Sequence, residues 1–236
     1  MAEFIITHKQ FDLPLYNKEK YTVLCPKGTT IENWPNIIYF ESELDNKIWS
    51  ELSGMVWIRN NVQSDWITIN HYRRIMETFY NHICVAAPAT MSINVAQNYK
   101  IYHNIADLMI CSNIIQKAFP DLYETWLQTL QSNIIYCYNM VSFPKKIYDE
   151  YIDTIMTILL TYMNSVKLKT YDDVKARVES IAAYTENNNQ RNTSVAYQSR
   201  IAGFLGERLT TWYINCLTKT NNQIYTMKVN KFENAW

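Results

Sequence analysis

Short apolar segments alternate with turn residues and a helical segment over residues 4–87, and this order most constrains the fold. Strands are predicted at residues 4–7, 21–25, 37–40, 66–70 and 83–87, where apolar runs end at polar, proline or glycine residues. A helix is predicted at residues 49–61, where apolar residues recur every three or four positions. Such an order is typical of an α/β sheet with helices packed on it.

The rest of the chain is predicted to be rich in helices. Helical spacing of apolar residues runs through residues 101–119, 147–163 and 201–216, and Pro120 is expected to end the first of these segments. One more strand is predicted at residues 134–141. The polar residues 185–192 predict a loop, either disordered or a lid over a site. With 236 residues, a single domain over residues 1–236 is expected.

The sequence His-Tyr-Arg-Arg at residues 71–74 follows a predicted buried strand. Guanidinium groups are rarely fully buried unless they are paired, and they bind phosphate in a planar, bidentate way. In open α/β sheets, ligands bind beyond the carboxyl ends of the strands. Arg73 and Arg74 are therefore predicted to bind an anion, specifically a diphosphate. An interior ion-pair node is an equally good interpretation of the residue types alone.

Several common functional classes lack their motifs. With only 4 glycines, the chain has neither G-x-G-x-x-G nor a Walker loop, and it has no G-x-S-x-G elbow. The four histidines do not form H-E-x-x-H, which argues against a zinc site. Lys and Arg total 22 and Asp and Glu total 22, so net charge provides no general attraction to nucleic acid.

Cysteine usage and the amino-terminal residues predict a cytoplasmic location. The five cysteines are widely spaced and include no C-x-x-C, which is typical of reduced thiols. The first residues lack the basic and long apolar regions of a signal peptide. No run approaches 18 apolar residues, so no transmembrane segment is expected.

Further candidate groups lie in the helical half. His103 and Asp107 stand four positions apart and are predicted to share one helix face, either as an acid/base dyad or as a surface pair. Gly203 and Gly206 interrupt a helical pattern, which requires a compensating reason such as close packing or approach to a ligand. Asn139 is expected at a strand end, where it would meet a ligand at the sheet edge.

Taken in order, these segments resemble a family of glycosyltransferase-like proteins from bacterial capsule and exopolysaccharide loci that carries the HYRR signature and was long a domain of unknown function. Besides residues 71–74, matching segments stand at residues 7–9 ("HK"), 26–28 (a proline-to-glycine turn), 51–60 ("ELT..YW.WKN"), 102–108 ("YH..eDL"), 138–140 ("NM") and 203–209 ("GFL.ERL"). The resemblance covers nearly the whole chain.

The resemblance implies an α/β fold with a GT-A-like (Rossmann-like) sheet, flanking helices and a helix-rich C-terminal half. It implies a glycosyltransferase, of hexosyl or pentosyl type, that moves a sugar from a nucleotide-diphospho-sugar to an acceptor hydroxyl. The expected donor is a UDP-sugar, and the expected acceptor is a glycan in capsular polysaccharide synthesis.

The resemblance also suggests residue roles. Donor-binding residues would be His8, Lys9, Gly28, Arg73, Arg74 and Asn139. Catalytic residues would be His71, Asp107 and Glu207, with Asp107 or Glu207 as acceptor base in an inverting reaction. Glu207 as a structural partner of Arg208 or Arg74 is an equal alternative. Further candidates at the site are Glu51, Asn60, His103 and Arg208.

The sequence has no Asp-x-Asp motif for a divalent cation, so no metal ligand is assigned. Mn²⁺ or Mg²⁺ stays open as a cofactor, held by Glu51, Asp107 or Glu207. The preferred interpretation is that arginines take the place of the metal.

Two other functions compete with this one. A phage enzyme that glycosylates hydroxymethylated bases in DNA fits the glycine-poor composition rich in Asn, Tyr and Lys, but it would require a basic groove and base flipping. A non-catalytic glycan-binding or scaffold relative would keep the fold without the activity.

Overall fold

The computed structural model describes residues 1–11, 13, 17–79, 81–181, 194–220 and 222–232. Within these residues the strands are β1 (Ala2–Ile6), β2 (Thr22–Pro26), β3 (Ile37–Phe40), β4 (Trp66–His71), β5 (Arg74–Met76), β6 (Ile83–Ala86), β7 (Ala89–Thr90), β8 (Ile134–Ile135), β9 (Val141–Pro144), β10 (Ile224–Met227) and β11 (Val229–Lys231). The helices are α1 (Asn46–Trp49), α2 (Leu52–Asn61), α3 (Val95–Tyr102), α4 (Ile105–Ala118), α5 (Pro120–Gln131), α6 (Lys145–Ser165), α7 (Tyr171–Ser180), α8 (Val195–Gln198) and α9 (Ile201–Lys219), with a short 3₁₀ turn at Lys18–Lys20.

Nine of the described strands form one sheet, whose main path runs β10-β6-β9-β4-β1-β2-β3. β1 pairs in parallel with β2 and with β4, and β2 pairs in parallel with β3. β9 lies between β4 and β6 and is antiparallel to both. The carboxyl ends of β1 and β4 therefore share one edge of the sheet with the amino end of β9. The predicted α/β class, with a mostly parallel sheet and flanking helices, is confirmed.

The alternation along β1 explains how the sheet is covered on both faces. Phe4 and Ile6 pack into a large core with the long helices, where Trp126 and Trp212 meet edge to face at 6.1 Å. Ile5 points to the other side and joins a smaller cluster with Val23. A strand that is apolar on both faces is typical of a sheet buried on both sides.

The predicted helix at residues 49–61 is wrong in one respect, because Ser50 divides it into α1 and α2. Ser50 has φ 52° and ψ −136°, a conformation that no helix contains. Asp45 begins α1 by accepting a hydrogen bond from the Lys47 amide at 2.8 Å. The break turns the chain so that Ser50 and Glu51 lie at the sheet edge.

The single strand predicted at residues 134–141 is also wrong. β8 pairs with β7 in a separate two-stranded sheet, whereas β9 enters the main sheet. Between them Tyr138 and Asn139 have φ values of 69° and 51°. Asparagine adopts positive φ more readily than most residues, so the sequence allows a sharp turn here.

His103 and Asp107 do not share a helix face. His103 ends α3, and Asn104 caps the start of α4 by accepting from the Ala106 amide at 3.1 Å. Pro120 does end α4, and it also begins α5, because the first residue of a helix needs no amide hydrogen.

Candidate active site

Residues 71–74 form the tip of a hairpin between β4 and β5. His71 pairs with Arg74, and Tyr72 and Arg73 make the turn. The Arg73 amide donates to His71 Nδ1 at 3.1 Å. Burial, together with the charges of Arg74 and Arg73, lowers the pKa of His71 to about 3. The imidazole is therefore neutral at physiological pH, and its proton is on Nε2 because Nδ1 is an acceptor.

A cleft with two adjoining compartments opens at this edge of the sheet. The first compartment has a volume of about 360 Å³ and is lined by His8, Lys47, Tyr72 and Tyr171, among others. The second has a volume of about 670 Å³, and its lining includes Tyr102, His103, Cys137, Tyr138, Tyr197, Phe204, Glu207 and Arg208. Both compartments are lined by Ser50, Glu51, His71, Arg73 and Arg200.

Cationic side chains dominate the first compartment. Arg73 extends from the hairpin, with its guanidinium carbon 5.1 Å from the centre of the Tyr72 ring. Arg200 approaches from the residue before α9 and donates from Nε to Ser50 Oγ at 2.9 Å. Lys47 adds a third cation and lies 5.0 Å from the centre of the Tyr171 ring. Such a set of donors suits an anion with several oxygens, such as a diphosphate.

Glu51 is the carboxyl group where the two compartments meet. Its Oε1 accepts a hydrogen bond from Asn139 Nδ2 at 2.9 Å. Burial raises the pKa of Glu51, and the nearby charge of Glu207 raises it further, while a backbone hydrogen bond of Glu51 itself, the charge of Arg200 and the Asn139 hydrogen bond oppose the shift. A carboxyl with a raised pKa, beside a cavity, can accept a proton from a bound hydroxyl.

Asn139 is held by the turn before β9. It is fully buried, and its Oδ1 accepts from Thr210 Oγ1 at 2.6 Å. The preceding Tyr138 stacks under Arg74, whose guanidinium carbon lies 3.9 Å from the ring centre. The turn thus places an amide against Glu51. Asn139 was expected at a strand end facing a ligand, but it lies in the turn before β9 and lines neither compartment.

Glu207 also supports this turn. Its Oε1 accepts from the Tyr138 amide at 3.0 Å, and its Oε2 accepts from Arg208 Nη1 at 3.1 Å. Arg208 is buried and donates a further hydrogen bond from Nη2 to Asn98 Oδ1 at 3.2 Å. Both side chains line the second compartment, and their contacts favour the structural alternative given above for Glu207.

His103 and Asp107 lie apart from one another. His103 lines the second compartment, stacks on Phe204 at 4.1 Å and contacts Gln198 Oε1 through Nδ1 at 3.1 Å. Burial lowers the pKa of His103 to about 3, helped by Arg208. Asp107 is fully buried, accepts from Arg177 Nη2 at 2.9 Å and lines neither compartment.

The remaining predicted site residues are distributed as follows. His8 lines the first compartment, and Lys9 lies 5.5 Å from the Tyr72 ring centre. The Arg74 guanidinium stacks on the Tyr138 ring, and Arg74 does not line either compartment of the cleft. Gly28, with φ 93°, lies in the turn after β2, and Asn60 lies near the end of α2 beside Arg59. Neither of these two residues lines the two compartments.

The two carboxyl groups of the cleft, Glu51 and Glu207, both accept hydrogen bonds from neighbouring groups. Both Glu207 oxygens already accept hydrogen bonds, and Glu51 uses Oε1 for Asn139. Across the described ranges, no group of three or more His, Cys, Asp or Glu side chains is arranged to hold a metal ion.

Sequence reasoning missed Lys47, Ser50 and Arg200. The sequence did contain an indication for Arg200. This cationic residue directly precedes the helical segment whose two glycines indicated close packing or contact with a ligand. Ser50 and Lys47 had none, because their positions depend on the break between α1 and α2.

The fold and cleft define an α/β protein with a mostly parallel central sheet and a two-compartment cleft at the carboxyl ends of β1 and β4. A family model described as a domain of unknown function (DUF4422) matches residues 78–183. The apo structure of WbbM, a bifunctional glycosyltransferase, matches this chain with a TM-score of 0.70 at 16% identity, over 99% of this chain and 45% of WbbM. The chain thus spans less than half the length of WbbM, and at this identity the match shows a shared fold.

A search of curated proteins gives no match. Residues 71–74 lie outside the matched residues 78–183, so the predicted HYRR signature stays a prediction. No helix in the described part of the chain combines the length and apolar character needed to cross a membrane. The five cysteines are free thiols.

Proposed function

We propose that this protein transfers a glycosyl group from a nucleotide-diphospho-sugar to a hydroxyl of a glycan acceptor. The observation that carries this proposal is the position of Glu51, Arg73 and Arg200, which line both compartments of one cleft. A donor whose diphosphate lies in the first compartment would present its sugar where the compartments meet.

The cations have the main electrostatic role in the proposed reaction. As the bond between the anomeric carbon and the diphosphate breaks, its electron pair stays on the leaving diphosphate oxygen. Arg73, Arg200 and Lys47 stabilise that developing charge, in an enclosed site where such interactions are stronger than in water. Neutral His71 supplies its Nε2–H as a further donor at the edge of the sheet.

Glu51 is the proposed acceptor base, in the role that the sequence suggested for Asp107 or Glu207. The acceptor oxygen forms the new bond to the anomeric carbon and releases its proton to Glu51. Glu207 is hydrogen-bonded through both oxygens, and Asp107 lies outside the cleft. A single displacement of this kind inverts the configuration at the anomeric carbon.

The test measures nucleotide release from UDP-, GDP-, CMP- and dTDP-sugars, with oligosaccharide and hydroxymethylated DNA as alternative acceptors. One donor should be turned over, and Arg73→Ala should lower its turnover by about 100-fold or more. Arg59→Ala is the matched control, because Arg59 is an exposed arginine paired with Asp153 outside the two compartments. Equal rates for wild type and Arg73→Ala would contradict the proposal, and turnover with DNA alone would replace the glycan acceptor.

Removal of divalent cations tests the proposed role of the arginines. Turnover should persist within about threefold in EDTA, because Arg73, Arg200 and Lys47 supply the positive charge that a metal would otherwise provide. The same assay with added Mn²⁺ is the comparison. Complete loss of turnover in EDTA, restored by Mn²⁺, would show that the leaving group depends on a metal.

A further inference from the structure

A chain of buried hydrogen bonds leads from the helical core to Glu51. Thr210 Oγ1 donates to Asn139 Oδ1 at 2.6 Å, and Asn139 Nδ2 donates to Glu51 Oε1 at 2.9 Å. The Tyr151 hydroxyl lies 2.7 Å from Thr210 Oγ1. Thr210, Tyr151 and Asn139 are each at most 1% exposed, so water does not compete for these bonds.

The direction of these hydrogen bonds follows from the number of available hydrogens. Thr210 has one hydroxyl hydrogen, which it gives to Asn139, so the hydrogen between Thr210 and Tyr151 comes from Tyr151. Burial raises the pKa of Tyr151, which keeps this hydroxyl protonated. Each group therefore donates toward Glu51, and the Asn139 amide is fixed with its NH₂ facing the carboxylate.

We propose that Thr210 is a positioning residue for the acceptor base: through Asn139, it holds Glu51 in one orientation and stabilises its ionised form. This inference rests on the proposed role of Glu51 as base. The chain of hydrogen bonds reaches Glu51 at Oε1, on a carboxyl group that lines both compartments. The positive φ of Asn139, at 51°, holds the amide in this place.

Other charged and titratable groups line the same cleft as Glu51. Glu207 and Arg208 come from α9, Arg200 from the residue before it, and His71 and Arg73 from the hairpin. Lys47 comes from α1, and His8 follows β1. Glu207 disfavours the ionised form of Glu51, whereas Arg200 favours it. The effect of Thr210 must therefore be measured against a variant that leaves these charges in place.

Thr211 provides that control. It is the next residue on α9 and is equally buried, but it accepts from the Tyr136 amide at 3.1 Å and donates to the Glu207 carbonyl at 2.9 Å. Thr210→Val and Thr211→Val each remove one buried hydroxyl of the same shape. Only the first interrupts the chain to Glu51.

The experiment titrates Glu51 by ¹³C NMR in protein labelled at glutamate carboxyl carbons, with the signal assigned by its loss in Glu51→Gln. Thr210→Val should raise the pKa of Glu51 by up to about one unit, because Asn139 is no longer held by Thr210 and its hydrogen bond to the ionised carboxylate weakens. Thr211→Val should leave this pKa unchanged, and Thr210→Ser, which keeps the hydroxyl, should restore the wild-type value.

Turnover provides the second readout. In Thr210→Val the acidic limb of the kcat profile should move to higher pH by about the same amount, while KM for the donor stays within about twofold. A general loss of packing would not shift this limb. If Thr210→Val does not fold, Tyr151→Phe removes only the outer hydroxyl and should shift both readouts in the same direction by a smaller amount.

The outcomes separate this inference from the proposed function. Identical Glu51 titrations in Thr210→Val and Thr211→Val overturn the inference, even if the wild-type enzyme is active and Arg73-dependent. A shifted titration in a protein that turns over no donor supports the positioning of Glu51 and contradicts the glycosyltransferase proposal. If Tyr151→Phe has the same Glu51 titration and the same pH profile as the wild type, that result also counts against the proposed chain of hydrogen bonds.

Discussion

Glu51 shows how a single side chain acquires a chemical role from groups far away in sequence. The residue stands near the start of the helix predicted at residues 49–61, and nothing local indicates a base. The break at Ser50 turns its carboxyl toward the sheet edge, and Asn139 and Glu207 then set its electrostatic environment. The sequence could therefore name Glu51 only as a further candidate.

The buried histidines predict how stability depends on pH. The folded protein holds the pKa of His103 at about 3, below the ordinary value of 6.5 that the unfolded chain restores. The unfolded state therefore binds the extra proton between these values. The stability associated with the neutral histidine is complete above pH 6.5 and is lost as pH falls toward 3.

We expect the free energy of unfolding of His103→Gln to depend less steeply on pH than that of the wild type. Glutamine at this position keeps a polar group near Gln198. The free energy of unfolding of this variant should change between pH 6 and pH 4 with a slope smaller by up to about 1.4 kcal/mol per pH unit. Urea unfolding at several pH values measures this slope, with exposed His82→Gln as the control. An unchanged slope in His103→Gln would show that His103 is protonated in the folded state.

At the level of secondary structure, the two glycines of α9 explain how the helix approaches the site. A Cβ at Gly203 would lie 2.7 Å from Ser50 Oγ and 3.0 Å from Ser50 Cβ. A Cβ at Gly206 would lie 2.7 Å from Leu52 Cδ1. The predicted close packing is confirmed. The glycines pack against the junction of α1 and α2. This contact could not be predicted from the sequence, because the junction depends on the unusual backbone conformation of one residue, Ser50.

Replacing each of the two glycines with alanine should have different effects on the stability of the protein. Gly203→Ala is expected to destabilise the protein by about 1–3 kcal/mol, because Ser50 is fixed by its backbone and by Arg200. Gly206→Ala should stay within about 1 kcal/mol of wild type, since a leucine methyl can rotate away and alanine favours the helix. Urea denaturation of both variants measures the difference, and equal effects would contradict this account of Ser50.

For the molecule as a whole, local patterns predicted the elements, and pairing between distant segments determined the site. Residues 37–40 form a strand as predicted, because β-branched residues beside turn residues indicate a strand directly. His71, Arg73 and Glu207 were predicted site residues and do line one cleft. The position of β9 between β4 and β6 has no local signal, although it brings Asn139 into hydrogen-bond contact with Glu51.

The ion pair between buried Asp107 and partly exposed Arg177 joins α4 to α7 and predicts an effect on stability without an effect on chemistry. Asp107→Asn should lower the free energy of unfolding by about 1–3 kcal/mol, because the charge-assisted hydrogen bond from Arg177 to a buried carboxylate is lost. At a temperature where the variant stays folded, kcat/KM should remain within about twofold of wild type. A loss above 100-fold in folded Asp107→Asn would instead restore the catalytic role considered from sequence.

The antiparallel β9 also has a consequence for the order of folding. In the chain, β4 and β6 come before α3, α4 and α5, and β9 comes after these helices. The two halves of the sheet therefore cannot join until β9, which follows the helices, pairs with both β4 and β6. Until then β4 and β6 each present an unpaired edge, which is the kind of surface that promotes aggregation. Such non-local pairing slows folding, and the turn that carries Asn139 can form its contact with Glu51 only when this last central strand enters.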